Sequence, residues 1–207
     1  MIAIIDYGAG NLRSVAKAID RLGYEATVTS CAEDILGAQA VILPGVGAAA
    51  DAMASLERLG LVQPIRDVIG QGKPFFGVCL GLQLLFAATE EGGWHECLGL
   101  LPGTVRRLPS GLKVPHMGWN QVRQRQGHPL FGGIPDAANF YFVHSYYVAP
   151  EDPSLVAGET DYGIGFCSAI ARDNLVATQF HPEKSGALGL RMYDNFLQHW
   201  GVRRRGD

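Results

Sequence analysis

An α/β fold is predicted, with a mostly parallel central sheet flanked by helices and antiparallel additions in the C-terminal half. Three observations predict it. In the first half, short apolar runs alternate with stretches whose apolar residues recur at helical spacing, the pattern of strand-helix-strand units. Those runs are apolar almost throughout rather than at every second residue, as expected of parallel strands covered on both faces. The second half instead carries short strand-like runs separated by turn residues, which suit antiparallel pairing.

In order, Ile2 to Asp6 reads as a strand, Tyr7-Gly-Ala-Gly10 as a loop, and Asn11 to Leu22 as a helix through Leu12, Val15, Ala16, Ile19 and Leu22. Glu25 to Thr29 is a second strand. Ala40 to Leu43 is a third, ending in Pro44-Gly-Val-Gly47, and helices follow over Ala49 to Arg58 and Leu61 to Gly70. Lys73-Pro74 closes that helix, Phe75 to Val78 is the next strand, and Leu80 to Ala88 reads as a helix. Strand-like runs come next at Gly103 to Leu108, Asn120 to Gln124, Phe140 to Val148, Ile164 to Ala171 and Leu175 to Gln179. A helix from about Gly186 to Trp200 closes the chain, and Arg203-Arg-Arg205 reads as a solvated basic tail.

At 207 residues, without an internal repeat or linker, residues 1–207 form one expected domain. A hydrophobic content of 47%, 18% charged residues and a net charge of -3 give no electrostatic reason to expect nucleic acid. The opening Met1-Ile-Ala-Ile-Ile-Asp6 reads as a strand rather than a leader, and no segment keeps the roughly 20 apolar residues of a membrane span. Cysteines at 31, 79, 97 and 167 form no Cys-x-x-Cys pair, which argues against zinc or a disulfide framework and fits a reducing cytoplasm. No cofactor or metal is expected: the glycine-rich loops lack a Walker lysine and a complete Gly-x-Gly-x-x-Gly.

Cys79 is the candidate nucleophile. It falls on a strand-to-helix turn between Gly77 and Gly81, the Gly-x-Cys-x-Gly frame of a nucleophile elbow, where missing side chains permit a cramped and strained backbone. A helix N-terminus at that point favours thiolate. Such a thiol needs a base. His181 is delivered by the strand before it, and Pro182 biases it toward extended chain, where Glu183, two residues on, points to the same side and can orient the ring. His144 is the competing base and has no neighbouring carboxylate. For a tetrahedral oxyanion, the N–H of Leu80 is one donor by elbow geometry, and an N–H of Val46 or Gly47 is the second.

These landmarks, in this order, resemble the class I (triad) glutamine amidotransferases: Gly77-Val-Cys-Leu-Gly-Leu-Gln83, Pro44-Gly-Val-Gly47 and Phe180-His-Pro-Glu-Lys-Ser185. The opening Asp6-Tyr-Gly-Ala-Gly-Asn-Leu12 and the block Val114-Pro-His-Met-Gly-Trp-Asn120 look like one branch of that family, the glutaminase subunits of imidazole glycerol phosphate synthase in histidine biosynthesis. The resemblance implies that Cys79 attacks the side-chain amide of glutamine, His181 protonates departing ammonia, Glu183 orients His181, and water releases glutamate from a thioester. It assigns Gly45, Gln83, His144, Ser145 and Tyr146 to glutamine. It also implies a separate (β/α)₈-barrel cyclase as heterodimer partner, receiving the ammonia near Asn11, Trp119, Tyr141 and Lys184. The two glycines of Pro44-Gly-Val-Gly47 make a peptide flip cheap, so the oxyanion donor is expected to turn inward only when the cyclase holds its substrate. Three other readings stay open on sequence: a silent binding module, a stand-alone cysteine hydrolase, and a glutaminase serving another pathway.

Overall fold

The computed structural model describes residues 1–8 and 10–206; Ala9, within the expected opening loop, and Asp207 lie outside the described residues. In chain order the elements are β1 (Ile2–Ile5), α1 (Leu12–Arg21), β2 (Ala26–Thr29), α2 (Ala32–Gly37), β3 (Ala40–Gly45), α3 (Ala49–Arg58), α4 (Val62–Gly70), β4 (Phe75–Cys79), α5 (Leu80–Gln83) and β5 (Phe86–Thr89). There follow β6 (His95–Glu96), β7 (Leu101–Arg107), β8 (His116–Gln124), β9 (Ala138–His144), β10 (Tyr146–Pro150), β11 (Val156–Asp161), β12 (Gly165–Arg172), β13 (Leu175–Thr178) and α6 (Gly186–His199).

The strands β2-β1-β3-β4-β13 lie side by side, each pair parallel, and every residue of β1, β3, β4 and β13 is buried. This is the near-continuous apolar signature expected of strands with helices on both faces, and each fully buried Ile, Val, Leu or Phe contributes about 1.5–3 kcal/mol by leaving water. The antiparallel strands β12, β10 and β7 extend the sheet beyond β13, and β8, β9 and β11 fold back as an outer layer. Two cores result, one on each face of the central strands. Among the described residues, no helix is long and apolar enough to cross a membrane.

Three expectations differ from the structure. The helix expected over Leu80 to Ala88 stops at Gln83, and Phe86–Thr89 is a strand. The run is apolar on all sides, so periodicity cannot tell buried helix from buried strand. What ends the helix is the return of the chain: the N–H groups of Leu98 and Leu100 take the carbonyls of Leu84 and Leu85, which would otherwise continue the helical ladder. A helix of four residues has little macrodipole, so the helix-end field expected at Cys79 is weak. The single run Phe140 to Val148 is two strands, because Ser145 breaks it where its carbonyl accepts from Leu108 N–H. Thus β9 pairs with β8 while β10 joins the main sheet, and the junction lies beside the elbow. The tail is not simply solvated: Arg204 makes two bonds of 2.8 and 3.0 Å to the Asp194 carboxylate and lies over the Tyr24 ring, and Arg205 pairs with Asp20.

Candidate active site

The ends of β3, β4 and β13 converge at one point because parallel strands place their C-terminal ends along one edge. Gly45 is in register with Cys79, and Thr178 with Val78. Cys79 has φ 55° and ψ -106°, a left-handed conformation costly for a residue with a side chain. The flanking glycines make it possible. A Cβ on Gly81 would lie 1.9 Å from the Leu43 carbonyl oxygen, and one on Gly77 would lie 2.9 Å from the Gly81 oxygen. The elbow therefore has the backbone packed against backbone, which no other residue type permits.

The Cys79 sulfur is 3.7 Å from Gln179 Nε2 and 3.8 Å from the Val143 carbonyl oxygen. His181 is 1% exposed, and its Nδ1 is 2.8 Å from Glu183 Oε1. Accepting there, the carboxylate fixes the proton on Nδ1 and leaves Nε2 for chemistry. Nε2 is buried and makes no hydrogen bond among the described residues, so the resting ring and sulfur are neighbours without a regular hydrogen bond. Such bonds tighten when substrate seats. Burial opposes a charged imidazole, but the Cys79 side chain and the Glu183 carboxylate outweigh it and push the His181 pKa up to about 9. Glu183 is in turn held by Asn11 Nδ2 at 3.4 Å and Tyr193 Oη at 3.5 Å, both donating.

The competing base is removed by its own bonds. His144 Nδ1 lies 2.8 Å from the Tyr146 carbonyl oxygen and Nε2 lies 2.8 Å from His116 Nδ1, while His116 Nε2 is 3.2 Å from Asn120 Nδ2. One proton order satisfies the row: each His donates from Nδ1, and Asn120 donates into His116. Burial holds His144 down at about 3 and His116 at about 4, so both stay neutral. Neither nitrogen of His144 is free to serve the thiol. Cys97 and Cys167 are likewise quiet core thiols, pushed up by burial to about 11 and about 12.

A cavity of about 390 Å³ opens on Cys79. Leu80, Gln83, Val46, Gly47, Ser145 and Tyr146 line it, as do Glu91 and Lys184. Gln83 bridges the site, donating to the Tyr146 carbonyl at 3.0 Å and to Gln179 Oε1 at 3.1 Å. Gly45 does not line the cavity; a Cβ there would fall 2.6 Å from the Tyr7 hydroxyl and 2.7 Å from Leu80 Cβ. Beside the mouth, Trp119 is 58% exposed and meets Tyr141 edge-on at 6.2 Å, and Lys184 lies 5.9 Å above the Tyr141 ring. Asn11, half-buried, bonds to Glu183 through its side-chain amide.

Sequence reasoning missed Gln179, Glu91, Met117 and Gly189. Gln179 and Met117 stand within motifs already read, and alternation along a strand could have found Gln179. Gly189 on α6 lies against the turn carrying the triad acid: a Cβ there would sit 1.9 Å from the Pro182 carbonyl oxygen. Gly189→Ala is expected to displace residues 182–184, lowering stability by about 1–3 kcal/mol and the turnover of the site with it. Denaturant melts and glutamate release measure both, and full activity at wild-type stability would contradict this packing.

Fold and site together have the form of an α/β enzyme with a cysteine on a strained strand-to-helix turn and a buried histidine-glutamate pair. Residues 3–200 match the family described as glutamine amidotransferase class-I. The chain is 57% identical over 198 residues to the imidazole glycerol phosphate synthase subunit HisH of Dehalococcoides mccartyi strain CBDB1, covering 96% of this chain and 97% of that one. It is 58% identical to the same subunit of Moorella thermoacetica, covering 94% and 93%. Among solved structures, PurLQS from Thermotoga maritima superposes with a TM-score of 0.78 at 18% identity over 96% of this chain and 97% of that one. A structure described as a glutamine amidotransferase gives 0.77 at 20% identity, covering 98% and 100%. These last two speak to fold. The chain belongs to the class-I glutamine amidotransferases and, within them, to the family of imidazole glycerol phosphate synthase HisH subunits.

Proposed function

We propose that this chain, acting as one catalytic unit in the cytoplasm, hydrolyses glutamine and passes the ammonia to a separate cyclase subunit, a (β/α)₈ barrel, which makes imidazole glycerol phosphate in histidine biosynthesis. The observation that carries the reaction is the strained Cys79, which lines a cavity, acting on a buried His181–Glu183 pair. The similarity to subunits of imidazole glycerol phosphate synthase supports the pathway.

In the reaction, the Cys79 thiol gives its proton to His181, its sulfur bonds to the side-chain amide carbon of glutamine, and the carbonyl electrons move onto oxygen. Leu80 N–H and an N–H of Val46 or Gly47 stabilise that oxyanion, each donor being worth about 3 kcal/mol. Protonated His181 donates from Nε2 to the nitrogen, the C–N bond breaks, and ammonia leaves. Water then attacks the thioester, His181 takes its proton, the C–S bond breaks, and His181 returns the proton to the sulfur as glutamate departs. Gln83, Ser145 and Tyr146 hold the substrate, Glu91 offers its carboxylate to the α-ammonium, and the neutral His144 fixes the wall. The exposed Trp119, Met117 and Lys184 and the half-buried Tyr141 beside the mouth suit a partner that must collect ammonia there.

Two features support control by the partner. Gly47 has φ 94° with open space around it, and Val46 is 39% exposed, so the peptide chain between them is free to turn. The test is glutamate release by this chain alone, with cyclase, and with cyclase plus a non-reacting analogue of its nucleotide substrate. Release is expected to rise about 10²-fold or more from first to last, the worth of an oxyanion donor. Full activity from the isolated chain would refute the control, and no activity in any arm would refute the glutaminase reading.

A further inference from the structure

Tyr7 is 1% exposed, and its hydroxyl is buried without a hydrogen-bond partner among the described residues. Native structures rarely leave such a group unpaired, so the position calls for a state in which it is paired. The hydroxyl packs on the backbone of Gly45, since a Cβ there would come within 2.6 Å of it. Burial, and then the charge of Cys79, raise its pKa far above the ordinary phenol value, so it is a donor at any working pH.

Tyr7 stands behind the site rather than in it. It lines a second cavity of about 300 Å³ together with Gly8, Asp51, Ser55 and Arg58, and does not line the substrate cavity. The two cavities share Val46 and Gly47 alone. The segment that supplies the oxyanion donor is therefore a wall with substrate on one side and Tyr7 on the other. A peptide that turns an N–H toward substrate must send its carbonyl the opposite way, because the two point in opposite directions across the peptide plane. That carbonyl then needs a donor.

We propose that Tyr7 is a positioning residue for the oxyanion strand: when the Gly45–Val46 peptide turns to present Val46 N–H to the substrate, the Gly45 carbonyl accepts a hydrogen bond from the Tyr7 hydroxyl. The proposal rests on the glutaminase reading above. It explains why the hydroxyl is unpaired at rest and why residue 45 has no side chain: any Cβ would occupy the place of the hydroxyl. Tyr7 thus favours the turned state, since only there is its donor satisfied.

The test is Tyr7→Phe, assayed in the complex with cyclase and a nucleotide analogue. The ring is kept, so packing is preserved. The kcat of glutamate release is expected to fall about tenfold or more. The KM for glutamine is expected to stay within about twofold, because substrate contacts lie on the other face of the wall. Ammonia-dependent synthesis by the complex should be unchanged. The melting temperature of the variant should hold or rise, as an unpaired hydroxyl has been removed. A kcat within about twofold of wild type overturns the proposal, and so does a fall of kcat accompanied by a lower melting temperature, which marks a packing role. Wild-type complex that releases no glutamate in the same assay would instead refute the glutaminase reading.

Discussion

Cys79→Ala is expected to abolish glutamine-dependent turnover while leaving ammonia-dependent synthesis by the complex intact. Loss of a nucleophile from a site of this kind costs about 10⁴–10⁶ in rate, because the remaining groups act only through the covalent bond it forms. The alternative thiols cannot substitute. Cys97 and Cys167 are buried with raised pKa values, and Cys31 is exposed after β2 and does not line the cavity. Ammonia-dependent synthesis needs only the cyclase and a docked partner, and the substitution leaves the docking platform untouched. A structural role for Cys79 would lower both activities together, so the ratio of the two rates decides. Stability provides a second check. The left-handed φ of 55° is a strain tolerated for the sake of a sulfur placed on the cavity. Cys79→Gly, which removes that strain and the side chain together, should be as inactive as the alanine variant but more stable than it in a denaturant melt. An alanine variant with substantial glutaminase activity would remove Cys79 from the chemistry.

Much of this site was legible in the residues, and the reason is local. Gly77-Val-Cys-Leu-Gly81 declares an elbow because only glycines allow the approach seen at Gly81 and Leu43. His181-Pro-Glu183 declares an oriented imidazole because two residues of extended chain suffice to bring carboxylate and ring together. The central strands were legible for the same reason, as their burial on both faces leaves an unbroken apolar run. What escaped depends on contacts between distant segments. The helix after Cys79 ends because residues 98–100 take its carbonyls, and nothing in Leu80 to Ala88 itself reports that. The strand break at Ser145 is set by Leu108, and the neutral state of His144 is set by its burial beneath distant segments, with His116 on the neighbouring strand adding to it. The bond between Asn11 and Glu183, 172 positions away, was likewise out of reach of a reading along the chain.

Glu183→Gln should lower kcat/KM by about 10³–10⁴, as loss of the orienting acid does in related triads. The shape is kept and only the charge is lost. His181 then stands in a site almost sealed from water with burial opposing its charged form and the carboxylate no longer compensating, so its pKa drops. Ammonia departure needs a proton from that ring, and activity should be lost at a lower pH than in wild type. Stability shows the same charge with a defined sign. The folded pKa of His181 is raised, from 6.5 to about 9, so the protonated ring stabilises the fold fully below pH 6.5, and that contribution disappears as pH rises through about 9. Its size is on the order of 3 kcal/mol, part of it contributed by Cys79. Denaturant melts between pH 6 and pH 9.5 should therefore show wild type losing stability with rising pH, and Glu183→Gln losing much less. Parallel curves for the two proteins would mean that the Glu183 carboxylate does not hold the proton on His181.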